Sequence, residues 1–352
     1  MMEFNNLFLI IISFFFYFAL LKKFHFLDDK ILSSSHKRLV LNNKSSILLG
    51  GPYLLTIILI FIPYEFYPLK VIFLLIGILG LLSDKDFLTN PKVRIFIQCL
   101  LIFLFVYLQE LEIDDLRIDI LNTMLSYNLF NIFFTVFCIA ILINGSNFID
   151  GLNGLLSGYI IIVLLSILFI SYKDPTIVVM DKNFLNIFIF AIFIFFIFNI
   201  FGYVFLGDSG SYIISLFVGF YLIKFYTINE ILSPYYIAAI LWYPIFENLF
   251  SFIRRLVKKN QISKADNSHL HHLFYKFIKS KNFIFEKNIN SFCSIIILLI
   301  NIPSFLFSNF FPTTTIILVL IVTINICIYL LAYNFFSKEL KNYKKPNHFK
   351  KN

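Results

Sequence analysis

Eleven apolar runs decide what this chain can become. They cover approximately residues 4–21, 47–62, 69–82, 95–108, 129–143, 155–171, 184–202, 212–225, 234–250, 292–307 and 315–336. A run of about 20 apolar residues crosses a hydrocarbon core untilted, and several of these are shorter. Lipid offers backbone N–H and C=O groups no partners, so each run is predicted to be helical. The chain is 59% apolar and 14% charged, against roughly 45–50% and about 25% in soluble domains. The expected fold is therefore all-α: a polytopic integral membrane protein of about eleven transmembrane helices. The first run has Glu3 before it and Lys22-Lys23 after it, the reverse of a secretory signal, and reads as a retained helix.

Charge orients the bundle. Of 29 Lys and Arg residues, 24 fall in segments 22–46, 83–94, 251–290 and 337–352. Those segments share one side under eleven crossings, and the positive-inside rule makes that side cytoplasmic. The N-terminus then lies outside, the C-terminus inside, and the acidic stretch 110–119 outside. The net charge of +9 is thus a topological signature. No nucleic-acid partner is expected. Residues 1–336 read as one membrane domain and 337–352 as a basic cytoplasmic tail against anionic headgroups. Cys99, Cys138, Cys293 and Cys327 all sit in apolar runs without metal-ligand spacing, and read as small buried side chains.

Four polar segments map to the cytoplasmic side. They are 83–98 (S-D-K-D-F-L-T-N-P-K-V-R-I-F-I-Q), 144–155 (N-G-S-N-F-I-D-G-L-N-G-L), 205–211 (F-L-G-D-S-G-S) and 269–275 (H-L-H-H-L-F-Y). In a helix, Asn144, Asn147 and Asp150 would share one face. Carboxylates at a membrane boundary are costly unless paired, metal-bound or facing water. Asp84, Asp150 and Asp208 together would call for a cation.

These four segments together resemble the polyprenyl-phosphate N-acetylhexosamine-1-phosphate transferases, in the family's order. A weaker echo is H-K-R-L-V-L at 36–41 followed by G-G-P-Y at 50–53. The family includes the undecaprenyl-phosphate GlcNAc-1-phosphate transferases and phospho-N-acetylmuramoyl-pentapeptide translocase. It moves a sugar 1-phosphate from a UDP-sugar to undecaprenyl phosphate and releases UMP, on the cytoplasmic face of the bacterial plasma membrane. The resemblance implies Mg²⁺, with Mn²⁺ as an alternative. The implied partners are undecaprenyl phosphate, a UDP-N-acetylhexosamine and the bilayer, and a homodimer is compatible with it.

Residue by residue, the resemblance implies Asp208 and Asn147 as metal ligands. It places Asp84 and Asp150 in the catalytic machinery, Asp84 orienting or deprotonating the acceptor phosphate. Asn144, Lys92 and Arg94 would meet phosphate. His269, His271 and His272, as H-x-H-H, would bind the nucleotide-sugar donor and favour the GlcNAc-type branch over the peptidoglycan translocase. Plainer readings stand beside these: Asp208 as a helix N-cap shared with Ser209 or Ser211, Lys92 and Arg94 as membrane anchors, the histidines as a zinc cluster or a solvated loop. The chain departs from the family at Ser83-Asp84, where two adjacent Asp are usual, and Asp86 is the fallback carboxylate. Asn153 stands where many members have another Asp. Two other classes compete. Gly207–Gly210 fits G-x-S-G, which would make Ser209 an intramembrane protease nucleophile. A transporter would need its polar groups near the bilayer midplane.

Overall fold

The computed structural model describes residues 4–24, 47–257, 268–281 and 288–344. The H-K-R-L-V-L segment, parts of both basic loops 22–46 and 251–290, and residues 345–352 of the tail lie outside these. The helices are α1 (Phe4–Phe24), α2 (Gly50–Phe61), α3 (Leu69–Asp84), α4 (Pro91–Leu108), α5 (Asp119–Leu125), α6 (Asn128–Ile149) and α7 (Leu155–Lys173). They continue as α8 (Lys182–Ile200), α9 (Gly207–Ile228), α10 (Pro234–Ile240), α11 (Trp242–Val257), α12 (Leu270–Lys281), α13 (Ile289–Phe310) and α14 (Thr315–Lys344). Two short strands, β1 (Ile47–Leu48) and β2 (Val204–Phe205), pair in parallel, with Ile47 opposite Val204.

Each of the eleven apolar runs forms helix over most of its length, the run 47–62 opening with β1. Among the described residues, eight helices are long and apolar enough to cross a membrane, or nine if α10 and α11 form one broken span. The other two runs are α2 and α3, of 12 and 16 residues. At 1.5 Å per residue both fall short of a core about 30 Å thick. α14 continues to Lys344, which carries helix into the basic tail.

One run breaks for a visible reason. Residues 234–250 form two helices bent by 77°. Pro244 has no N–H to return to the Ile240 carbonyl one turn earlier. Tyr159 on α7 fills that gap, its hydroxyl donating to Ile240 O at 2.8 Å. The broken turn is thereby satisfied inside the bundle.

α9 is the centre. It is buried along almost all its length, with α2, α3 and α6 packed around it. α1 and α14 lie at the edge, largely open to lipid. Opposite the N-terminus of α9, the loops lace together. Arg117 donates to Leu232 O at 3.2 Å and Thr315 Oγ1 at 2.6 Å, and Asn229 donates to Val178 O at 2.9 Å.

α3 and α9 touch backbone to backbone at Gly80. A Cβ there would overlap the Cα and N of Ser209. Gly80→Ala therefore forces apart the crossing that carries Asp208. We expect a loss of about 1–3 kcal/mol, read as a lower unfolding temperature in detergent. Unchanged stability would mean that the two helices separate at no cost.

Candidate active site

The polar segments sit where helices end. α3 finishes on Ser83-Asp84, and α4 starts seven residues later at Pro91. Asn90 caps α4 by accepting Lys92 N–H at 3.0 Å, with Pro91 filling the first helical position. That fixes the first turn, which carries Lys92 and Arg94. α6 runs through Asn144 and Asn147 to Ile149, and Asp150 is its C-cap. α9 begins at Gly207 with Asp208 in its first turn.

Asp208 draws four helices together. Its Oδ2 accepts the Ser83 hydroxyl at 2.6 Å and Arg94 Nη1 at 3.1 Å. Its Oδ1 accepts Asn147 Nδ2 at 3.2 Å. Arg94 Nη1 also donates to Ser83 Oγ at 2.6 Å. Ser83 thus bridges Arg94 to Asp208.

Asp208 does not cap its own helix. Asp84 does so from α3: Asp208 N–H and Ser209 N–H donate to Asp84 Oδ1 and Oδ2 at 2.7 and 3.2 Å. The carboxylate also meets the positive end of the α9 dipole. Ser209 is buried and its hydroxyl donates to Gly77 O at 2.8 Å, which makes the G-x-S-G match a helix crossing. Asp86 lies just beyond α3 with φ of 56°.

Asn144 and Lys92 stand apart from Asp208. Asn144 Nδ2 donates to Gln98 Oε1 at 2.9 Å and to Ala140 O at 2.8 Å. Lys92 is exposed in the first turn of α4.

The histidines form a second group. His269 Nδ1 is 2.9 Å from Glu247 Oε1 on α11. The His269 ring lies 4.8 Å from that of Phe148 and stacks on His271 at 5.6 Å and 11°. His271 and His272 are buried, centroids 4.3 Å apart. A Cβ on Gly151, the residue after Asp150, would come within 2.7 Å of His271 Nε2. Only glycine lets that loop lie against the imidazoles. Burial, with His272, His269 and Lys276 adding to it, holds His271 well below the usual histidine range and hence neutral. Neither of its ring nitrogens has a hydrogen-bond partner among the described residues. Phe148 joins the two groups, since Asn147 beside it reaches Asp208.

Some residues of this frame carried no motif signal. Asn199 on α8 accepts Gly154 N–H at 2.7 Å and donates to Val204 O at 2.7 Å, tying the start of α7 to β2. Asn290 accepts Asn153 N–H at 2.6 Å. Arg254 Nη1 donates to Ser268 O at 2.8 Å. A lone amide in an apolar run was the available hint for Asn199.

Among the described residues, no three His, Cys, Asp or Glu side chains are arranged to hold a metal ion. The Asp208 cluster fits Mg²⁺ in another way. Asp208, Asn147 and Ser83 supply oxygen donors with one carboxylate, and Mg²⁺ commonly takes one or two carboxylates plus waters and substrate phosphates.

Residues 68–226 match the family described as glycosyl transferase family 4. The chain is 30% identical over 212 residues to the probable undecaprenyl-phosphate N-acetylglucosaminyl 1-phosphate transferase of Bacillus subtilis, covering 58% of this chain and 56% of that one. It is 31% identical over 148 residues to the undecaprenyl-phosphate alpha-N-acetylglucosaminyl 1-phosphate transferase of Thermotoga maritima, covering 42% and 44%. The chain thus spans about half the length of the curated relatives it matches.

Proposed function

We propose that this chain, whose residues 68–226 match glycosyl transferase family 4, transfers a sugar 1-phosphate from a UDP-sugar to undecaprenyl phosphate. The sugar is of N-acetylhexosamine type, GlcNAc-like, as in the names of both relatives. The lipid-linked product would start a cell-surface polysaccharide. The observation that carries this reading is Asp208, held by side chains from α3, α4 and α6 at one end of the bundle.

In the reaction, an acceptor phosphate oxygen bonds to the sugar-bearing phosphorus while its bridge to UMP breaks. Mg²⁺ held by Asp208 and Asn147 would neutralise the diphosphate and favour in-line displacement. Asp84 fixes the first turn of α9 and so aims Asp208. Arg94 and Lys92 offer cationic contacts to phosphate, and Asn144 braces α6 through Gln98. Asp150 ends α6 beside the Gly151 contact with the histidines, where it can meet the donor. His269, His271 and His272 take the nucleotide sugar.

The reading includes eleven crossings of the bacterial plasma membrane, with N-terminus outside and active site cytoplasmic. Nucleotide sugars are cytosolic and the acceptor phosphate lies at the headgroup plane. The Lys and Arg distribution supports the same orientation. Reporters fused within 83–94 or 251–290 should read cytoplasmic, and one within 109–120 outside. A cytoplasm-specific reporter silent after Lys281 would remove the reading.

The direct test is purified protein with undecaprenyl phosphate, Mg²⁺ and a panel of UDP-N-acetyl sugars. UMP release with a matching lipid product is expected, and no release from any donor would overturn the proposal. His271→Ala or His272→Ala should raise the donor KM about tenfold and leave that of undecaprenyl phosphate nearly unchanged. An effect confined to the lipid acceptor would move this cluster to the other substrate.

A further inference from the structure

Glu247 is the most deeply buried carboxylate among the described residues, with no exposed surface. It lies in the second turn of α11. One oxygen, Oε1, is 2.9 Å from His269 Nδ1, and the other, Oε2, has no hydrogen-bond partner among the described residues. A buried carboxylate with one partner is expensive, and an apolar side chain would pack there at lower cost. His269 is its closest partner, and the Tyr243 and Tyr329 hydroxyls also feel its charge.

The hold is tight. Glu247 takes Nδ1, His271 stacks on the ring, the Phe148 ring packs against it at a tilt, and Arg254 donates to the carbonyl of Ser268 just before it. Arg254 is itself clamped, its guanidinium 5.4 Å from the Phe250 ring and 5.3 Å from that of Tyr333. Nε2 is the ring nitrogen that Glu247 does not take.

We propose that Glu247 is a positioning residue: it accepts Nδ1–H of His269 and so presents Nε2 to the nucleotide-sugar donor. This rests on the transferase reading above. Around the pair stand His271, His272 and Lys276 on α12, Tyr243 and Arg254 on α11, and Tyr329 on α14.

Donor kinetics of single and double variants test the proposal. Glu247→Leu should raise the donor KM about tenfold or more, with the acceptor KM unchanged. Glu247→Gln keeps an acceptor oxygen and should recover most of that loss. In a His269→Ala background, Glu247→Leu should cost at most about twofold more, since its route is already cut.

Losses that multiply in that background, or that fall equally on the lipid acceptor, would overturn the proposal and leave the transferase reading intact. If Glu247→Leu does not survive extraction, Glu247→Asp, too short to reach Nδ1 of His269, takes its place in both backgrounds, and losses that multiply overturn the proposal. A wild-type chain that releases UMP from no UDP-sugar would remove both.

Discussion

Asp208→Asn is expected to leave a folded membrane protein that transfers almost no sugar phosphate. The substitution keeps shape but removes the charge that balances Arg94 at 3.1 Å and that would hold a divalent cation. An amide also mismatches its neighbours, because Ser83, Arg94 and Asn147 all donate to Asp208 and none of its present partners needs a donor. Stabilisation of transferring phosphate by a metal is worth several kcal/mol, so activity should fall on the order of 10³-fold. Monodisperse elution in detergent would show that the fold survives. Activity persisting at ordinary Mg²⁺ would mean that Asp208 is a structural knot between helices.

Asp84→Asn is the second large effect, and it separates two roles. Both Asp84 oxygens receive backbone N–H groups of α9. Asparagine keeps one acceptor and turns an NH₂ toward the other N–H, leaving a buried donor unpaired at about 1–3 kcal/mol. The first turn of α9 then shifts and carries Asp208 with it. We expect about 10²-fold less activity, with a measurable loss of thermal stability. If Asp84 orients, the acid limb of the rate profile stays where the acceptor phosphate protonates, at lower height. If Asp84 were the proton acceptor, the limb would flatten in the variant. Asp86→Asn should do little: its φ of 56° is one that asparagine adopts readily. A dead Asp86→Asn would transfer the family carboxylate role to Asp86.

The sequence made much of this readable, and unevenly so. Apolar runs announce helices because lipid leaves the backbone no alternative. N-x-x-N-x-x-D puts Asn144 and Asn147 on the last turns of α6, as three-residue spacing requires. Motif matching also brought Arg94, Asn147 and Asp208 into one list, with Ser83 only as a departure from the family, and only the structure shows all four bonded. Other features depend on contacts distant in sequence. The apolar run 234–250 gives no sign of a 77° bend except Pro244, and the bend needs Tyr159, 81 residues earlier, to close it. The α9 cap was sought among Asp208, Ser209 and Ser211, yet it comes from Asp84, 124 residues away. Glu247 carries no motif signal inside the apolar run 234–250, and its pairing with His269 appears only once α12 folds back.

The last turn of α6 has a wider consequence. Asn147 faces the phosphate-handling group and Phe148 faces the imidazoles, while the two groups otherwise stand on separate scaffolds, α3–α4–α9 and α11–α12. On the proposed reading, donor recognition and phosphate chemistry would fall to different helices, and α6, packed against both α9 and α11, would keep the two in register.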